Sequence, residues 1–250
     1  YETDPGITPA DLSDLSHELD KSRVIPEWAW WEFNIDDVTA GKGDFMKAIT
    51  NATETDIGLM ADAGCSSVYT PTSESVRGGG IGPAVPMLRA GVNVALGSDG
   101  PMVDYSVDMV EQMKACSFLQ NTKHLDPTAM SPEQCLEMAT VNAAKALGME
   151  GEIGSIETGK LADLAVFDLR TPHAAVVHNP ISSLVYSAKG TDVHTLIVDG
   201  RIVIEGGALM TFSDEEKVIR DATARGKEIA EKAGLKERAL PRWPGRESDR

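Results

Sequence analysis

Three cysteines in 250 residues, Cys65, Cys116 and Cys135, are too few, too widely spaced and odd in number to form a disulfide framework. No CxxC metal knuckle occurs either, and two of the three fall in helical patterns, as small core residues of a reducing compartment do. Long apolar runs are missing: none approaches the roughly 18 residues that span a bilayer. No basic, apolar, small-residue leader opens the chain, so the expected location is the cytoplasm. Basic residues are scarce, 23 Lys and Arg against 39 Asp and Glu, giving a formal net charge of −16. Such a surface repels nucleic acid and anionic membranes, and both are excluded as expected partners. What remains, 42% hydrophobic and 25% charged residues, is enough for a sizeable core. The first residue is Tyr1 rather than Met, which leaves room for a start outside these residues.

Aromatic residues make up only 5% of the chain, yet three of the four tryptophans lie in Trp28-Ala29-Trp30-Trp31. This cluster either walls a pocket for a planar ligand or fills a core or subunit contact. A helix start at Thr8-Pro9-Ala10-Asp11 precedes it, and Asp36 to Gly43 reads as loop. Thr53-Glu54-Thr55-Asp56 opens a helix that Gly64 closes. Ser66–Tyr69 is a short strand. Pro71–Glu74 and Arg77-Gly78-Gly79-Gly80 read as a mobile loop, with no Lys-Ser/Thr pair to make it a phosphate loop. Ile81–Ala90 is the next helix. Asp108–Gln120 follows, with Val110, Met113 and Cys116 on one face and Phe118 assigned to the core. Ser131-Pro132-Glu133-Gln134 starts another, with Leu136, Ala139, Ala143 and Leu147 on one side.

Beyond Gly148 the pattern changes. Leu161–Asp168 reads as a strand, and Asp199-Gly200 between Thr195–Val198 and Arg201–Ile204 is a two-residue hairpin signal. Ser213-Asp214-Glu215-Glu216 caps a last helix to about Ala233.

The chemistry points to Val92–Leu96, an apolar run that stops at Gly97-Ser98-Asp99-Gly100-Pro101. A carboxylate at the exit of a buried parallel strand sits where barrel enzymes keep their active sites. It can ligate a metal or take a proton from metal-bound water, or it can simply cap the turn.

The order of Thr55-Asp56-Ile57 through Ala63-Gly64, Pro71-Thr72-Ser73, Ala90–Gly100, Ala139–Gly148, Gly154–Leu164 and Val198-Asp199-Gly200-Arg201 resembles the amidohydrolase superfamily. Within it, the chain is most similar to the cytosine deaminase and atrazine chlorohydrolase branch, which includes S-adenosylhomocysteine deaminases. The resemblance implies an α/β fold: the C-terminal part of a (β/α)8 TIM-type barrel, with a small antiparallel β-sandwich module and a closing helix. Residues 1–155 would be the partial barrel, 156–210 the sandwich, 211–236 the helix packing back on the barrel, and 237–250 a tail. It also implies a divalent metal, Zn or Fe, that activates water against a C–N or similar bond of a small nitrogen-containing compound.

Only Asp99 matches the family's metal and proton-shuttling set. The family's His-x-His pair is absent, and His17, His124, His173, His178 and His194 stand outside its ligand positions. Where the fifth-strand histidine would lie the chain has Trp28–Glu32, and where the sixth-strand histidine precedes Pro-Thr-Ser it has Tyr69 and Thr70. Glu32, Tyr69 and Trp30 become the expected substrate-binding residues. A full barrel takes about 250 residues by itself, so three expectations stand side by side. A second chain supplies the N-terminal barrel half and the remaining ligands of a split enzyme. Alternatively, the chain is a non-catalytic structural or regulatory subunit, or its polypeptide is longer at the start.

Overall fold

In a computed structural model, residues 50–211 and 214–235 are described. The expected helix at Thr8, the Trp28–Trp31 cluster, Glu32, Ser213 and the tail lie outside them. The chain divides into two units, Tyr1–Gly207 and Ala208–Arg250.

Among the described residues, the first helix of the first unit is α1, Glu54–Asp62, fixed by the capping box seen in its sequence. The Thr53 hydroxyl oxygen accepts from the Asp56 N–H, and the Asp56 carboxylate accepts from the Thr53 N–H at 2.7 Å. Strands β1, Ser66–Tyr69, and β2, Asn93–Leu96, run parallel in the register Ser66↔Asn93 to Tyr69↔Leu96. Parallel neighbours need a crossover. Here it consists of two short helices, α2 at Pro71–Arg77 and α3 at Ala84–Arg89.

Helix α2 replaces the expected mobile loop. Pro71 stands at its first turn, where the missing N–H costs nothing, and Gly78 ends it at φ 66°. Helix α3 is shorter than the expected Ile81–Ala90, because Gly82-Pro83 delays its start. After β2 come a single turn, α4 at Pro101–Asp104, and the long α5, Met109–His124. Asp108 caps α5 by accepting from Val110 N–H at 2.8 Å, and its second oxygen accepts from Gly190 N–H at 2.8 Å. One carboxylate thus ties α5 to Gly190, just ahead of the strand Val193–Val198.

Val110, Met113 and Cys116 face the core from α5 as the periodicity requires. Phe118 does not: it is half-exposed, stacked on Tyr186 at 5.8 Å with Lys114 over its ring. Cys116 and Cys135 are fully buried, and Cys135 and burial together push the Cys116 thiol up. Ser131 and Gln134 form the expected capping box of α6, Pro132–Ala139. The helix then breaks at Thr140, whose backbone is non-helical (φ −128°, ψ −89°), and α7 runs from Val141 to Ala146. The single face expected from Leu136 to Leu147 is therefore not continuous, and Leu147 is exposed. The break lets Asn142 donate to Val94 C=O at 3.0 Å and accept from Asn93 at 3.0 Å, locking α7 to β2.

The β module holds β3, Leu164–Phe167, α8, Pro180–Tyr186, β4, Val193–Val198, and β5, Arg201–Glu205. The three strands are antiparallel in the order β3-β4-β5. Asp199-Gly200 makes the hairpin, with both residues at positive φ (50° and 73°), the conformation that Asp-Gly accepts most readily. Strand β3 starts later than expected because Leu161–Asp163 is a turn, and Asp163 accepts from Asp199 N–H at 2.7 Å. A second layer of the expected sandwich is not among the described residues. Helix α8 lies in a stretch to which the sequence reading assigns no element; Asn179 caps it and Pro180 opens it.

Beside the module, His173 Nε2 lies 2.7 Å from a carboxylate oxygen of buried Asp192, and Lys189 N–H donates to the same oxygen at 2.9 Å. Burial alone would raise the Asp192 carboxyl. The bonds from His173 and Lys189 outweigh it and hold the group below the usual carboxylate range. A carboxyl depressed on folding stabilises the fold above its unfolded pKa of about 4. That contribution fades as pH falls through the lower folded value. Thermal unfolding should therefore show a drop in Tm below about pH 4 that is smaller in Asp192→Asn.

The second unit carries β6, Ala208–Leu209, and α9, Glu215–Lys232, capped by Asp214. The helix forms where the sequence placed it, laced by pairs such as Lys217–Asp221 and Lys232–Glu228. No helix among the described residues is long and apolar enough to cross a membrane.

Candidate active site at the exit of β2

Because β1 and β2 are parallel and in register, both deliver their exits to the same edge. From β1 the chain passes straight into α2, placing Ser73, Glu74 and Arg77 there. From β2 it leaves at Gly97, whose N–H still donates to Tyr69 C=O at 3.0 Å, and turns out of the ladder at Asp99. Asp99 adopts a left-handed conformation at φ 59°. A short polar side chain tolerates this by bonding locally, and here Asp99 Oδ1 accepts from Gly100 N–H at 2.6 Å. The other oxygen accepts from the Ser73 hydroxyl at 2.6 Å. Arg77 Nη2 stands 3.9 Å from that same oxygen and 2.6 Å from Glu74 Oε1.

Burial differs across the cluster. Ser73 is fully buried, and the Glu74 side chain is 9% exposed. Asp99 and Arg77 are half-buried at 29% and 26% of their side chains. Asp99 is thus oriented from the protein side and open toward solvent. A carboxylate has about four lone-pair positions, so two hydrogen bonds leave capacity for a proton, a polar substrate group or a cation. Helix α2 is itself held in place by Gln112 of α5, which is fully buried and donates to the Thr72 hydroxyl at 2.5 Å.

The expected site residues fare differently. Asp99 is at the strand exit, as the sequence placed it. Tyr69 is buried in the core with Leu96, Val85 and Cys116. Burial raises its phenol, whose oxygen has no hydrogen-bond partner among the described residues. Glu32 and Trp30 lie outside the described residues. Ser73, Glu74 and Arg77 were missed because their stretch read as loop. The signal available was Pro71 as a helix-opening residue, with Ser73 and Arg77 one turn apart after it.

The profile of the amidohydrolase family matches residues 38–203, more than half of the chain. The chain belongs to the amidohydrolase family. Curated relatives that it resembles carry deaminase names. It is 44% identical over 163 residues to a 5-methylthioadenosine/S-adenosylhomocysteine deaminase of Acetivibrio thermocellus, covering 65% of this chain and 38% of that protein. The Pyrococcus furiosus protein of the same name is 42% identical over 211 residues, covering 84% of this chain and 45% of that one. Among solved structures, an adenosine deaminase from Xanthomonas campestris with bound zinc matches at a TM-score of 0.75 and 25% identity, covering 88% of this chain and 54% of that chain. Atrazine chlorohydrolase TrzN from Arthrobacter aurescens, complexed with zinc, shares the fold at a TM-score of 0.73 and 20% identity, with 88% and 52% covered. This amidohydrolase chain thus spans less than half the length of the curated relatives it matches.

The zinc of those two structures raises the question of what could hold a metal here. Among the described residues no group of three or more His, Cys, Asp and Glu side chains is arranged to do so. A catalytic zinc takes three protein ligands, and Asp99 offers one carboxylate with a guanidinium beside it. The described residues alone do not fit the metal.

Proposed function

We propose that this chain is the C-terminal part of a hydrolytic deaminase, cleaving a C–N bond of a small nitrogen-containing compound. The observation that carries the reading is the Asp99 carboxylate, presented at the exit of a buried parallel strand and held there by Ser73 and Gly100. Asp99 is the group that accepts and returns a proton during hydrolysis, within hydrogen-bond reach of the reacting atoms. The deaminase names of the relatives support the reaction class and make 5-methylthioadenosine and S-adenosylhomocysteine the first compounds to try.

Residues outside the described ones complete the barrel, whether in the same polypeptide or in a second chain. If a divalent metal, Zn or Fe, belongs to the site, Asp99 is one ligand and the others come from there. Glu32 and Trp30 are the candidates for substrate contact. Tyr69, the last residue of β1, packs in the core.

One observation favours a second reading, a non-catalytic structural or regulatory subunit. Arg77 sets a positive charge beside the carboxylate where the family places its metal.

The deciding experiment purifies the polypeptide from its native source. Intact mass fixes its length and co-purification its partners. Ammonia release from both compounds is then measured together with metal content. Release that disappears in Asp99→Asn supports the deaminase. A folded, full-length assembly that releases none from either compound and carries no metal overturns it in favour of the subunit.

A further inference from the structure

We propose that Glu74 is a positioning residue: its buried carboxylate restrains Arg77 and so keeps the guanidinium from closing on Asp99. The two carboxylates compete for one cation. Arg77 Nη2 is at hydrogen-bond distance from Glu74, 2.6 Å, and beyond it from Asp99, 3.9 Å. A pair three residues apart on an exposed helix is worth little, but the Glu74 side chain is nine-tenths buried. Its second oxygen is also buried, with no hydrogen-bond partner among the described residues. That arrangement costs stability by itself, as expected of a group kept for its effect on a neighbour.

The backbone makes room for this carboxylate. A Cβ on Gly79 would lie 2.1 Å from Glu74 Oε2, so the Glu74 position depends on the absence of a side chain there. Arginine has a long, flexible stem and a fork that matches a carboxylate with two parallel bonds. Released from Glu74, it has Asp99 within reach, 3.9 Å away. Two N–H bonds from Arg77, added to those from Ser73 and Gly100, would fill the lone-pair positions of Asp99. Nothing would remain for a proton. Glu74 therefore holds the cation close enough to orient the site and far enough to leave the carboxylate usable.

The consequence for turnover rests on Asp99 being the reacting carboxylate, as proposed above; the geometry does not. The test uses the full-length protein with Glu74→Gln, Arg77→Met and the double variant. Glu74→Gln should lower kcat for 5-methylthioadenosine about tenfold with little change in KM, the pattern of a lost transition-state interaction. The double variant should recover to the kcat of Arg77→Met, since without the guanidinium no restraint is needed. The crystal structure of Glu74→Gln should show Arg77 on Asp99 in two bonds of about 2.8 Å.

Equal impairment of Glu74→Gln and the double variant, or an Arg77 that stays away from Asp99 in that crystal, overturns the proposal. Should Glu74→Gln fail to fold, Gly79→Ala displaces the same carboxylate, and the comparison with its Arg77→Met double decides. If the wild type releases no ammonia, the deaminase reading falls, while the position of Arg77 in the variant crystal still decides this one.

Discussion

Replacing Asp99 with asparagine should lower the kcat of the complete enzyme by about three orders of magnitude and leave its melting temperature nearly unchanged. Both halves follow from the local geometry. Loss of a general acid–base group costs about 10²–10⁴-fold, and asparagine keeps the shape of the side chain but cannot carry the proton. The backbone at this position is left-handed, φ 59°, and asparagine tolerates that region about as well as aspartate. The bond from Gly100 N–H to Oδ1 can persist to the amide oxygen. Alanine would be a poorer choice, since it adds backbone strain to the lost chemistry. Steady-state kinetics and thermal melts of the wild type and Asp99→Asn check the expectation. A kcat within a few-fold of wild type would make Asp99 a turn-capping residue.

The sequence made this residue legible because two signals coincide there. An apolar run fit for burial on both faces ends in a turn that no strand can continue, and the acidic residue stands in that turn. Capping chemistry was equally legible at Thr53 and Ser131, since a cap depends on side chains close in sequence. The Asp199-Gly200 hairpin belongs to the same class. The partners of Asp99 were illegible for the converse reason. Ser73 and Arg77 reach it across 26 and 22 positions of chain, and their helix is only Pro71–Arg77, too short for apolar periodicity to show. Three glycines after Arg77 drew the whole segment into the loop reading. Thr140 failed differently: the apolar pattern runs through it unbroken, while the tie between Asn142 and β2 interrupts the helix. A tertiary bond overrides a local preference there.

The same logic yields the largest expected effect on stability, at two residues that composition would assign to the surface. Gln112 and Gln120 of α5 are both fully buried. The helices of the crossover begin without side-chain caps of their own: Thr70 makes no capping bond for α2, nor Pro83 for α3. A helix start leaves backbone N–H groups unsatisfied, and α5 supplies the acceptors from outside. Gln112 accepts from Thr72 N–H at 3.4 Å, and Gln120 accepts from Val85 N–H at 3.4 Å while donating to Gly82 C=O at 2.8 Å. Leucine at position 120 matches the volume closely but strands both Val85 N–H and Gly82 C=O in a dry interior. Each unsatisfied group costs about 1–3 kcal/mol, so Gln120→Leu should lose about 2–4 kcal/mol, read as a shift in urea midpoint at constant slope. Gln112→Leu should lose a similar amount and also lower kcat, because Thr72 adjoins the serine that orients Asp99. A Gln120→Leu variant as stable as wild type would mean that α3 finds its acceptors elsewhere. A Gln112→Leu variant with unchanged kcat would mean that α2 holds Ser73 without help from α5.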